Sequence, residues 1–506
     1  MEDGPGAGAG GSDRFDGVRA LIRARLAERA LPSLAVAVVQ DGRFLWEEAF
    51  GWADRDRRRA ADPHTMYAVA SISKPMTATA LMVLVERGAA DLDRPVNDYL
   101  GDAPLRACVG DAEAATVRRV AGHTSGLPVH VQFFYEDEPH APPSREETIR
   151  RYGRLMWAPG ERYRYCNLGY GILDHVVARL GGRTYADFMR EEVFLPLGMT
   201  RAAVHVPERL RAYQAIRYGR DGVAYPHYGF DHDGGSAVFC SAHDLALFGA
   251  FHLKAHMSGQ RAILTDASID AMQQAPPAED PGAGYGVGWA LHPDLHGHRM
   301  VGHDGGMGGV ETVLRLYPEG RLAVVALGNA QDPLPRLVAD EVAAVLLPGY
   351  RERLQADRAA SERAAAAGDR PEAQRGPEWE APPELVGTWR GSVATYAGEM
   401  PLELRVRRRS GVQVRLGGQF WTLLNSAAFQ GGWFTGEFAG QIDTEDARRR
   451  RHNLSFELHA RDGVLKGAAV AVTRPDREGD GEGGSPGRRS GYALSHWTQL
   501  RREAEG

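Results

Sequence analysis

Ser71-Ile72-Ser73-Lys74 sets a hydroxyl and an amine three residues apart, at the start of an apolar run over residues 76–85. Residues i and i+3 share a helix face, so the Lys74 amine can lie beside the Ser71 hydroxyl. A lysine shielded from water can give up its proton and take one from a hydroxyl, whereas arginine stays protonated. The choice is pointed in this chain, which uses arginine almost everywhere and has only Lys254 and Lys466 besides. The chemistry implied is attack by an activated serine on a carbonyl carbon. A bare S-x-x-K also arises by chance, so the pair needs company.

Two further clusters supply it. Tyr165-Cys166-Asn167 leads into 168–173, a loop feeding a helix, where a phenol to move a proton and an amide to bind a substrate carbonyl can converge on one point. Gly302-His303-Asp304-Gly305-Gly306 precedes a β-rich run, residues 310–316. Glycines beside a strand let a substrate backbone approach and leave an N–H for an oxyanion.

These groups need elements to hold them. Residues 76–85 are apolar on nearly every side and end at Gly88, which reads as a buried helix with Ser71 at the floor of a cleft. Residues 34–39 and 44–48 flank Asp41-Gly42, a hairpin signal, and 310–316 and 322–327 flank Pro318-Glu319-Gly320. An antiparallel sheet built from both ends of the region, with the Ser71 helix packed on it, is expected. Residues 337–347 close it as a helix.

With these motifs in this order, the chain resembles the serine β-lactamase and penicillin-recognising superfamily on its class C side, with esterases, D-aminopeptidases and DD-peptidases. The elements S-x-x-K, Y-x-N and K/H-x-G are matched by Ser71/Lys74, Tyr165/Asn167 and His303/Gly305, and the likeness runs over about residues 15–347. Lesser matches include Gly51-Trp52-Ala53-Asp54, His123-Thr124-Ser125-Gly126-Leu127-Pro128 and Tyr285-Gly286-Val287-Gly288-Trp289. The resemblance implies an α/β (α+β) sandwich, an antiparallel sheet flanked by helices with a helical insert. It implies an acyl-enzyme on Ser71, with Lys74 and Tyr165 sharing proton transfer, and an oxyanion hole from the N–H groups of Ser71 and Gly306. Asn167 would orient the substrate carbonyl, and His303 would tune Tyr165 or meet a polar group of the substrate. Which of Lys74 and Tyr165 is the base stays open. Cys166 stands where Ser or Ala is commoner, and His303 where β-lactamases usually carry Lys; the second departure favours an esterase or peptidase.

Composition sets bounds. In 506 residues a net charge of −6 gives no pointer to nucleic acid, and no run of about 20 apolar residues offers a membrane span. Glu2 and Asp3 stand where a secretory signal would be basic, and Cys108, Cys166 and Cys240 have neither metal nor redox spacing, so a cytoplasmic location is expected. No cofactor or metal is called for. Among 18 histidines the pairs His296/His298 and His227/His232 read as surface loop residues.

Beyond the catalytic region, taken as residues 14–350 after a tail over 1–13, residues 351–382 form a linker, helical at first. The period then becomes two: Leu402, Leu404 and Val406, then Val412, Val414 and Leu416, then Leu454, Phe456 and Leu458. Residues 383–506 are therefore expected to form a small antiparallel barrel, and Gly387-Thr388-Trp389 is similar to the first strand of lipocalin-like barrels. It is expected to fold as a separate unit and to supply no chemistry, walling the cleft or joining subunits in a homo-oligomer. Arg448 to Arg451 reads as a solvated loop between strands. Gly483-Gly484-Ser485-Pro486-Gly487 and the glycines of residues 6–11 spell known motifs without the strands those require.

Three functions are consistent with this: hydrolysis of small esters, amides or peptides; a DD-peptidase or β-lactamase; or a catalytically silent binding protein keeping the same cleft. The intact set Ser71, Lys74, Tyr165 and Asn167 speaks against the last.

Overall fold

The Asp41-Gly42 turn opens the fold: both residues have positive φ, 50° and 72°, as a two-residue hairpin needs, and join strands Ser33–Gln40 and Arg43–Asp54. The computed structural model describes residues 13–275, 284–366, 379–409, 411–473 and 491–503. Residues 1–12 of the tail, part of the linker and the two set-aside glycine motifs lie outside the described residues.

As expected, both ends of the region over residues 14–350 build one sheet. Ser33–Gln40 pairs with Arg43–Asp54 on one side and with Leu322–Gly328 on the other, Leu34 opposite Gly328. Seven antiparallel strands run in the order Ala290–Leu295, His298–Met307, Val310–Tyr317, Leu322–Gly328, Ser33–Gln40, Arg43–Asp54 and Arg59–Ala60. Side chains alternate across a strand. Leu34, Val36 and Val38 pack with Phe15 and Ile22 of the first helices and with Val338 and Val342 of the Leu334–Leu346 helix. Ala35, Ala37 and Val39 face the opposite core, which contains the Ser73–Glu86 and Ala242–His252 helices.

The Ser73–Glu86 helix is buried from Ser73 to Leu84 and stops where Gly88 turns left-handed, φ 69°, with the Ala89 N–H on the Leu84 carbonyl. Alongside it runs the Asn167–Gly181 helix.

Past the sheet, a Tyr350–Ala366 helix begins the expected linker and seats Tyr350 and Leu354 in the core. The described residues between 387 and 502 then form a nearly closed antiparallel barrel whose alternation matches the period-two reading, with Leu402, Leu404 and Val406 buried. Its open edges approach where the Thr422 hydroxyl donates to the Ala439 carbonyl at 3.2 Å.

The barrel meets residues 130–157 at several points. The barrel strand Ala493–Arg502 pairs with His130–Val131, Leu494 opposite His130. Tyr152 donates to Asp446 at 2.7 Å, and Met156 and Trp157 pack against Ala468 and Val470. Arg449 and Arg450, read as solvated, both reach Glu138 (3.3 and 2.7 Å) and are nearly buried, because the loop they occupy docks on residues 133–138. A shared ladder and a shared apolar patch join the barrel to the segments that precede the linker.

Candidate active site

Ser71 sits in a single 3-10 turn, Ala70–Ile72, directly before the buried helix. Ala70 is held at φ 48°, a left-handed conformation that costs an L-residue of order 1 kcal/mol and persists only where its surroundings impose it. Those surroundings are on both sides of the turn. Ser73 donates to the Ala70 carbonyl at 2.7 Å and accepts from Val238 N, and Thr312 donates to the Val69 carbonyl at 3.1 Å. The turn is thus clamped between helix and sheet, with the Ser71 side chain half-buried.

One helical turn on, Lys74 is wholly buried. Its Nζ lies 3.2 Å from Ser71 Oγ, 2.7 Å from Asn167 Oδ1 and 2.9 Å from the Gly235 carbonyl. Every one of these partners is neutral, so desolvation carries the Lys74 pKa well below that of free lysine. Unprotonated, the amine donates to the Asn167 and Gly235 oxygens and turns its lone pair to the Ser71 hydroxyl. The Gly235 carbonyl reaches it because Gly234 packs against the Asn167–Gly181 helix; a Cβ on Gly234 would lie 2.4 Å from the Tyr170 carbonyl.

Tyr165 donates to Ser71 Oγ at 2.9 Å, and its ring stands 4.7 Å from the Lys74 Nζ. Burial raises the pKa of its phenol, so it remains protonated where free tyrosine begins to ionise. Ser71, Lys74, Tyr165 and Asn167 are brought together, as expected.

His303 finds its hydrogen-bond partners away from Tyr165. Its Nε2 meets the Tyr285 hydroxyl at 3.0 Å, Nδ1 meets the Asp304 carbonyl at 2.7 Å, and its ring is 6.3 Å from that of Tyr165, so Tyr285 is its direct partner. Burial, then the nearby Lys74, lowers its pKa to about 4 and keeps the imidazole neutral. Gly305 is fixed by contact: a Cβ there would lie 2.2 Å from the Val69 carbonyl and 2.3 Å from Thr312 Oγ1. Gly306 has room, its nearest neighbour being Glu311 Oε2 at 3.6 Å. The Ala290–Leu295 strand pairs with this strand only as far as Gly302, which leaves the edge of the His303–Gly306 stretch beside the Ser71 turn uncovered by it.

Several participants were not singled out from sequence. Tyr285 lay in a segment quoted for its likeness alone, and Gly235 supplies only a main-chain carbonyl, which no side-chain pattern reveals. His123, at φ 63°, lay in another segment quoted for its likeness. There it accepts the Cys166 N–H on Nδ1 at 3.2 Å and packs its ring 4.5 Å from Tyr165 and 4.7 Å from Tyr285.

His232, expected on the surface, is fully buried next to Asp231 and His130. Asp231 meets His232 Nδ1 at 2.7 Å and His130 Nε2 at 2.8 Å, three residues that could also hold a metal ion. Ligating histidines hand their second N–H to an acceptor. Here His130 Nδ1 and His232 Nε2 are buried with no hydrogen-bond partner, an arrangement met by two neutral imidazoles that both donate to the carboxylate.

Among the described residues no helix is long and apolar enough to cross a membrane. The chain is 26% identical over 328 residues to penicillin-binding protein 4* of Bacillus subtilis (strain 168), covering 59% of this chain and 68% of that one. It is 29% identical over 339 residues to penicillin-binding protein 4 of Amycolatopsis lactamdurans, 63% and 84% of the two chains. The octameric penicillin-binding protein homologue from Pyrococcus abyssi superposes with a TM-score of 0.59 at 21% identity, over 95% of this chain and all of that one, a likeness of fold that includes the barrel region. A family model described as Beta-lactamase matches residues 18–347, the part that carries the Ser71 cleft, and the chain belongs to that family.

Proposed function

We propose that this protein is a serine hydrolase that cleaves ester or amide bonds of small substrates or peptides through an acyl-enzyme on Ser71, in the manner of esterases and D-aminopeptidases. One observation carries the reading: Ser71 Oγ lies within hydrogen-bond distance of both a fully buried, charge-unpaired lysine and a tyrosine hydroxyl. Lys74, its pKa lowered, takes the Ser71 proton as Oγ attacks the carbonyl carbon. Tyr165, its pKa raised, passes its proton to the leaving group, and the phenolate so formed takes the proton of the water that later attacks the acyl carbon, while Lys74 returns its proton to the departing Ser71 Oγ. The Ser71 and Gly306 N–H groups receive the oxyanion, and Asn167 orients the substrate carbonyl while holding the amine. Water then repeats the attack on the acyl-enzyme and frees Ser71.

The alternative, a DD-carboxypeptidase or β-lactamase, is favoured by the names of the two curated relatives, penicillin-binding proteins both. His303 at the third motif, neutral and committed to Tyr285, weighs against it, since it offers a substrate carboxylate no fixed positive charge. An assembly of several copies joined through the barrel belongs to the same reading, supported by the octameric homologue that shares the barrel's fold.

Mass spectrometry after treatment with a fluorophosphonate tests the nucleophile. Ser71 alone should carry the adduct; modification at Ser125 or Ser485 instead would overturn the assignment. A panel of p-nitrophenyl esters, D- and L-aminoacyl anilides and a chromogenic cephalosporin separates the two readings. Turnover confined to the cephalosporin would establish the second.

A further inference from the structure

Tyr165 stands on irregular backbone: between the Arg154–Leu155 strand and the helix starting at Asn167, residues 156–166 belong to no helix or strand. Its position must come from tethers along that segment. Two are on the cleft side, where Arg164 N donates to the His123 carbonyl at 2.8 Å and Cys166 N to the His123 ring. The segment alternates. Tyr163 and Tyr165 turn toward the cleft, their rings 5.9 and 4.5 Å from that of His123. Arg162 and Arg164 turn the other way, toward the barrel, and there a single carboxylate receives both: Glu457 Oε1 lies 2.9 Å from Arg162 Nη2, and Oε2 2.9 Å from Arg164 Nη2.

Glu457 is held firmly enough to act as a post. It lies in the middle of the Asn453–Arg461 strand, paired to Thr435 on one side and Ala468 on the other, and its side chain is only 13% exposed. The Arg162 guanidinium is sandwiched as well, 4.1 Å from the Trp433 ring of the barrel and 5.1 Å from Trp157. Charge-assisted bonds of this kind are shorter and more directional than neutral ones. A carboxylate that bridges two arginines at alternate positions fixes both the place and the twist of the chain between them, and Tyr165 is the next residue.

We propose that Glu457 is a positioning residue for the Ser71 site: through Arg162 and Arg164 the barrel sets where the Tyr165 hydroxyl stands against Ser71. The inference rests on the reaction proposed above, in which that hydroxyl moves a proton. It gives the barrel a part in turnover without any contact between Glu457 and substrate.

The test uses the full-length protein, with the second-order rate of fluorophosphonate labelling at Ser71, kcat and KM on the best ester of the panel, and Tm measured in parallel. Because misplacing a catalytic group by about 1 Å can cost 10²-fold, Glu457→Gln should slow labelling and kcat by about 10- to 100-fold with KM little changed. Glu457→Asp, which keeps the charge, should restore much of the loss. Asp446→Asn serves as a control for docking in general: it removes the buried partner of Tyr152 and Arg151 at the same junction but touches no part of residues 156–166. It should lower Tm and leave the labelling rate unchanged. Wild-type labelling by Glu457→Gln would overturn the proposal, as would Asp446→Asn and Glu457→Gln slowing labelling in step with their losses of Tm. A wild-type protein that does not label at Ser71 would instead remove the reaction on which the proposal stands.

Discussion

The Lys74 amine is surrounded by groups that can accept a hydrogen bond but cannot balance a charge, and this sets its protonation. Its pKa falls because burial penalises the ammonium form, so the neutral base is present above the lowered value and lost as pH drops through it. Tyr165 is shifted the opposite way, so its proton stays in place through the range where free tyrosine ionises. The labelling rate at Ser71 should therefore rise with pH on a single limb that lies well below the pKa of free lysine, and hold level to about pH 10, the ordinary tyrosine value. A rate that fell through neutrality would contradict a neutral Lys74. Ser71→Ala and Lys74→Ala should each lower turnover by about 10⁴-fold, and the double variant should be little worse than either, because residues acting as a unit do not add. Losses that multiplied would show two independent roles. Sequence reached these residues because S-x-x-K and Y-x-N carry their chemistry in side chains at fixed spacing. It could not reach the Gly235 carbonyl or the Tyr285 partner of His303, which depend on how distant segments fold together.

At the scale of elements, the strand carrying His303, Gly305 and Gly306 is held by steric fit. The Gly305 position admits no Cβ, being closed by the Val69 carbonyl and Thr312, while Gly306 is open. Gly305→Ala should push the strand from the Ser71 turn, slow labelling by about 10²-fold and lower Tm by several degrees, as overpacking costs about 1–3 kcal/mol. Gly306→Ala keeps its N–H and should change Tm little. Equal behaviour of the two variants in thermal melts and labelling would rule out this account. The strands themselves were legible. Asp41-Gly42 declared its hairpin through residues that accept positive φ, and the barrel declared itself through Leu402, Leu404 and Val406 at a period of two. The His130–Val131 pairing was not, since two residues show no period, and the burial of His232 and Arg449 comes from what packs over them.

For the whole molecule, the boundary that composition marks near residue 382 and the boundary that contacts mark are different things. The ladder at His130, the Tyr152–Asp446 bond and the Met156 and Trp157 patch tie the barrel to segments next to the cleft. A chain ending at residue 366 retains the Tyr350 helix but exposes Trp157, which is 2% exposed in the intact protein. It should remain folded by circular dichroism, because the seven-stranded sheet and its helices are complete without the barrel, yet label at Ser71 at least 10-fold more slowly, within the loss that misplaced groups cause. Labelling at the full rate would show that the docked barrel contributes nothing to the site.

Ser495 in the last described strand donates to the Val129 carbonyl, a partner 366 residues earlier in the chain. That separation has a consequence in time. Contacts so distant form late, because the intervening loop entropy must be met before they reward the chain. During synthesis the Ser71 turn, its helix and most of the sheet emerge long before the strand that buttresses the neighbouring wall. The nascent chain would therefore hold Ser71 in a folded but unbraced cleft, and on the proposed reading reactivity would arrive as a separate, later event than the core. In refolding from denaturant, the far-ultraviolet helical signal should return first and labelling at Ser71 should lag behind it, the interval measuring how long the molecule exists as a hydrolase not yet switched on by its own final strand.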